Sequence, residues 1–94
     1  MSDITLQSRL ALDPRVRFRR FENDGIVIHQ KTAEALVVSE VATRLLELAD
    51  GTRTLRECAD AIQSEFDAPA EVIERDLMQF VRELADNGIV QVSA

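Results

Sequence analysis

The chain predicts an α+β fold, an N-terminal three-stranded antiparallel β-meander followed by three helices. Three observations carry that reading. Residues 16–39 hold short apolar runs broken by turn residues, and three stretches of helical spacing follow Ser39. Stop and start signals then divide the second half: Asp50-Gly51, Thr54-Leu55-Arg56-Glu57, and Asn87-Gly88. Finally, no spacer separates the third strand from the first helix. With 94 residues the chain makes one domain, and such a chain buries roughly 60–70% of its unfolded surface.

Residues 1–13 lack a clear period and read as a mobile arm, with residues 14–94 as the single domain, although Ile4, Leu6, Leu10 and Leu12 offer apolar groups for pairing. Residues 16–21, VRFRRF, alternate with Val16 and Phe18 inward and Arg17 and Arg19 outward. Glu22-Asn23-Asp24-Gly25 is the turn, because Asn, Asp and Gly tolerate the positive φ that tight hairpins require. Residues 25–29 form the second strand, with Ile26 and Ile28 on one face, and residues 30–32 turn into the third.

That third strand, residues 34–39, is the most informative segment. Ala35, Leu36, Val37 and Val38 are apolar in succession, where alternation would mark a single buried face. Both faces are expected to meet something apolar. A strand near a sheet edge that wants cover on both sides, joined rigidly to a helix, is a dock for another peptide.

Ser39 caps the first helix, with Glu40 in its first turn beside the positive end of the helix dipole. Val41, Ala42, Leu45, Leu46, Leu48 and Ala49 form its apolar face, and Gly51 suits a left-handed position after the last turn. The second helix opens on the Thr54/Glu57 capping box and runs a stripe of Leu55, Cys58, Ala59, Ile62 and Phe66. The third begins near Pro69, and Val72, Ile73, Leu77, Phe80, Val81 and Leu84 face the core. Residues 89–92 make a short last strand or cover the core edge.

Composition narrows the function classes. The N-terminus lacks the apolar core of a signal peptide, no run reaches the ~18 apolar residues of a membrane span, and the single cysteine, Cys58, has no internal disulfide partner. A reducing cytoplasm is the expected compartment, with no membrane contact. The net charge of −6 is unevenly spread, with six cations against five acids up to Ser39 and five against twelve beyond it. No catalytic constellation is present. Cys58 sits in a core stripe, and His29 ends a strand with nothing to orient it as a base. The two do not make a closed zinc site, and Gly25 and Gly51 are too isolated to cradle phosphate. No cofactor, metal or catalytic residue is expected, and the chain is not read as an enzyme.

In order and separation, the Val16-Arg17-Phe18-Arg19 strand, the run from Glu34 into Glu40–Leu48, Asp50-Gly51-Thr52-Arg53-Thr54 and the helix from Glu74 to Leu84 before Asn87-Gly88-Ile89 resemble the PqqD family. The resemblance covers residues 14–92. It departs at Val38-Ser39, where the family often has Leu-Asn, although Ser and Asn both cap helices. The resemblance implies a winged-helix-like fold. It also implies a chaperone that holds the leader segment of a ribosomally made precursor peptide for a modifying enzyme of the radical SAM or cyclising type. The implied contacts are Glu34, Ala35, Leu36, Val37, Val38 and Ser39 on the strand, with Asp76, Leu77, Phe80 and Val81 on the third helix.

Two rival classes share these elements. Two helices joined by a short turn suit a DNA-binding winged helix, but the would-be recognition helix carries Arg75 and Arg82 among Glu71, Glu74, Asp76, Glu83 and Asp86 and repels phosphate. A homodimeric adaptor would use the same strand edge on itself.

Overall fold

The computed structural model describes residues 4–93. In chain order the elements are β1 (Arg9–Leu12), β2 (Val16–Phe21), β3 (Asp24–His29), β4 (Glu34–Val38), α1 (Glu40–Leu48), β5 (Asp50–Thr54), α2 (Leu55–Phe66), α3 (Ala70–Asp86) and β6 (Val90–Ser93). The expected meander is the sheet β2-β3-β4, and the three expected helices follow it.

A second antiparallel sheet, β5-β1-β6, was not expected. It corrects the reading of residues 1–13 as a mobile arm over the part that is described; residues 1–3 lie outside the described residues. β1 is the middle strand, with Leu10 opposite Val92 and Arg9 opposite both Thr54 and Ser93. Leu10 is buried in the core, and Ile4 and Leu6 pack against it. Four residues are too few to show a period, and the partners of β1 lie far along the chain, so only tertiary pairing orders it. β5 likewise occupies the segment expected to be only a helix stop: α1 ends at Leu48, and Gly51 has its positive φ, 85°, inside a strand.

The hairpin turn is also tighter than expected. Glu22 and Asn23 alone form it, with Glu22 at φ 57°, while Asp24 and Gly25 already pair with Phe21 and Arg20. Gly25 is required for another reason: a Cβ there would lie 2.6 Å from Thr43 Oγ1 and 2.8 Å from the Phe18 ring. Its absence lets α1 press directly onto the meander.

Helix boundaries follow their caps. The Ser39 side chain accepts from the Ala42 amide at 3.3 Å, and the box at α2 closes both ways, Thr54 N–H to Glu57 at 3.0 Å and Glu57 N–H to Thr54 Oγ1 at 3.2 Å. Pro69 stands at the N-cap of α3. Leu10, Val27, Leu45, Leu46, Leu55, Ile62, Leu77 and Val81 are the largest buried apolar groups, so the core lies between the two sheets and the three helices.

Candidate functional site

The β2–β3 turn fixes which groups the open edge of the meander offers. A two-residue turn closes on a hydrogen-bonded pair, here Phe21 and Asp24, and the ladder alternates from it. The Gln30 N–H, donating to Arg15 O at 2.8 Å, keeps that parity. Gly25, Val27 and His29 therefore turn their amides and carbonyls toward Val38, Leu36 and Glu34 of β4. Ala35 and Val37 point theirs away from the sheet. β4 has no second neighbour among the described residues, so four backbone groups stand open along this edge.

The side chains of that edge are uncovered as well. Leu36 is 44% and Val37 68% exposed, and only Val38 of the strand is buried. The expectation that both faces of β4 meet something apolar thus fails for the isolated chain. Leu36 faces the helices with Val27, while Val37 faces outward beside Ile26.

A groove of about 340 Å³ runs alongside the edge. One wall is Leu36, Val37, Val38 and Ser39, with Ala42 at the floor, and the other is Phe80, Glu83, Leu84 and Asn87 of α3 and its end. A smaller hollow of about 120 Å³ continues it past Leu36 and Asn87 to Glu34, Ala35, His29 and Thr32. The Glu34 end is polar and the Val38 end apolar. Asn87, which lines both hollows, donates its side-chain amide to Glu83 O at 2.7 Å, a bond that fixes its side chain at the end of α3. Glu83 accepts from Gln79 at 3.3 Å.

All six strand residues named from sequence, Glu34 to Ser39, border the groove or its extension, and so does Phe80. Leu77 and Val81 do not; both are fully buried beneath it. Asp76 lines neither hollow. The wall instead uses Glu83, Leu84 and Asn87, which share a helical face with Phe80 at spacings of three, four and seven. The apolar stripe predicted for this helix contains Phe80 and Leu84 but not Glu83 and Asn87, which are polar.

Charges elsewhere are tied up in ion pairs away from the groove: Arg20 with Glu47 at 2.6 Å, Arg44 with Glu65 at 2.8 Å, and Arg56 with Glu74. These partners hold the Glu47 carboxyl below its usual range and raise Arg20 and Arg44. Cys58 is buried in the core, and burial pushes its thiol up, the opposite of an activated nucleophile. Among the described residues no three His, Cys, Asp or Glu side chains cluster to hold a metal ion, and no helix is long and apolar enough to cross a membrane.

The family model for Coenzyme PQQ synthesis protein D (PqqD) matches residues 24–90, from the start of β3 to the start of β6. This chain belongs to the PqqD family. It is 32% identical over 77 residues to the PqqA binding protein of Gluconobacter oxydans (strain 621H), across 79% of this chain and 80% of that one. To the PqqA binding protein of Xanthomonas oryzae pv. oryzae (strain KACC10331 / KXO85) it is 28% identical over 92 residues, 98% of this chain and 100% of the relative. Among solved structures, TbiB1 in complex with the TbiA(beta) leader peptide matches with a TM-score of 0.79 at 24% identity, over 89% of this chain and 98% of that chain. The heterocyclase TruD matches with a TM-score of 0.58 at 16% identity, over 93% of this chain but 12% of TruD. The PqqD-family fold therefore occurs both as a small chain and as a segment of a much larger one.

Proposed function

We propose that this PqqD-family protein is a non-catalytic peptide chaperone. It captures the leader segment of a ribosomally synthesised precursor by strand addition to the β4 edge and presents it to a modifying enzyme. The observation that carries this reading is the open, apolar edge of β4 beside a groove walled by α3. The PqqA binding proteins among its relatives support the partner class, and the leader-peptide complex of TbiB1 supports the use of this fold for such a segment.

Magnitudes decide what the groove has to supply. Ordering each residue of an incoming strand costs about 1–2 kcal/mol, while each backbone hydrogen bond returns about 0.5–1.5 kcal/mol net, so the ladder alone does not bind. Buried aliphatic side chains add about 1.5–3 kcal/mol each, and two or three of them give a Kd on the order of micromolar. A dry cavity of about 150 Å³ holds a benzene-sized group, so the 340 Å³ groove has room for two side chains.

A modifying enzyme of the radical SAM or cyclising type completes the proposal. The acidic α3 gives the nucleic-acid alternative no support, and no observation favours a homodimer. The test is an amide chemical-shift titration of labelled protein with the leader of the precursor encoded beside its gene. Shifts confined to residues 34–39 and 80–87 are expected. Binding that maps to another surface overturns the proposal, and peptide turnover by the isolated chain overturns the non-catalytic assignment.

A further inference from the structure

The chemistry of the groove goes further than its shape, on the reading that a strand docks there. Its lining contains two carboxylates, Glu83 on the α3 wall and Glu34 at the far end, and no arginine or lysine. Lys31, in the turn before β4, lines neither hollow. Among the described residues the Glu34 carboxylate takes part in no ion pair, whereas five arginines elsewhere are matched with acids. One N–H of the Asn87 side-chain amide donates to Glu83 O, and its carbonyl oxygen remains an acceptor. His29 Nδ1 accepts from the Lys31 N–H at 3.2 Å.

We infer that the groove selects a segment with an aliphatic or aromatic side chain at the Val38 end and a lysine or arginine four residues along, at the Glu34 end. Side chains on one face of a strand recur every second residue, an advance of about 6.6–6.8 Å. Val38, Leu36 and Glu34 repeat with that period on the face toward the helices, and the two hollows meet at Leu36. The apolar group fills the space by Phe80 and Leu84. The cation meets Glu34 and Asn87 Oδ1, with Glu83 across the rim. A basic apolar segment also suits a chain of net charge −6, so the test separates position from bulk attraction.

A display library of random dodecapeptides, panned on the intact protein, supplies the probes, and enriched peptides are mapped by amide shifts. The expected result is enrichment of an apolar residue with Lys or Arg four positions away, with shifts along β4. Moving that cation by one residue turns it to the opposite face of the sheet at constant net charge. That move should weaken binding about three- to fivefold, and exchange for Glu about tenfold at low salt. Glu34→Lys, at an exposed position, should reverse the preference. Cations enriched without regard to position, or apolar residues enriched alone, overturn the inference while strand docking stands. No enrichment, or shifts away from β4, overturns strand docking and the inference with it.

Discussion

Replacing Val37 with proline removes one hydrogen-bond donor from the open edge and little else. The ladder parity points the Val37 N–H away from β3, so no internal bond is lost. Proline is tolerated on edge strands, and it favours an extended residue before it, which Leu36 already is. The incoming strand is affected differently. One of its carbonyls faces the proline ring instead of a donor, and a buried polar group without a partner costs about 1–3 kcal/mol, or roughly five- to 150-fold in Kd. Val37→Thr keeps the amide and the branched shape and serves as the control, expected within about threefold of the parent. Calorimetric titration with the leader segment reads both values, and amide spectra report whether the fold survives. A folded proline variant that binds within twofold of the parent would falsify the assignment of Ala35 and Val37 as the open pair.

Other perturbations probe the rest of the structure. Leu77→Ala empties a fully buried site and should lower stability by about 2–5 kcal/mol in urea melts, leaving the affinity of the folded fraction within twofold. Phe80→Ala should do the reverse, weakening peptide binding about tenfold with a smaller loss of stability; equal effects on both properties would remove Phe80 from the groove wall. Gly25→Ala places a methyl 2.6 Å from Thr43 Oγ1 and should destabilise by about 1–3 kcal/mol, and a loss under about 0.5 kcal/mol would mean α1 moves freely on the sheet. The Asp13 carboxyl, bonded by Arg15 at 2.9 and 3.0 Å, is held well below the usual carboxylate range. Its contribution is present above the unfolded pKa of about 4 and lost as pH falls from there, so melting temperature should drop in acid and Asp13→Asn should flatten that slope.

What could be read from sequence was whatever local chemistry decides. The Ser39 cap, the Thr54/Glu57 box and the stripes of α1 and α2 each rest on neighbours within four residues, and they fall where expected. β1 and β5 were missed because each is defined by partners far away in the chain, and the mixed run Asp50–Thr54 carries no strand period. The site divides in the same way. The apolar run of β4 announced itself, but which side of α3 faces it depends on how that helix is rotated against the core. That rotation buries Leu77 and Val81 and turns Glu83 and Asn87 to the groove.

The treatment of the sheet edges explains why the exposure of β4 reads as function. An open edge invites aggregation, and proteins blunt it with charge, shortness or cover. The far edge of the meander, β2, carries Arg17, Arg19 and Arg20. In the other sheet β5 is DGTRT, almost wholly polar, and β6 has four residues. Among the described residues β4 alone combines an unpaired ladder with exposed Leu36 and Val37, and it has neither lysine nor proline to protect it. The β2 edge also exposes an apolar group, Phe21 at its end, but three arginines stand beside it. On β4 the exposed pair has no such cover and borders the groove, as the proposed strand docking requires, and on that reading Leu36→Lys should abolish binding while raising solubility.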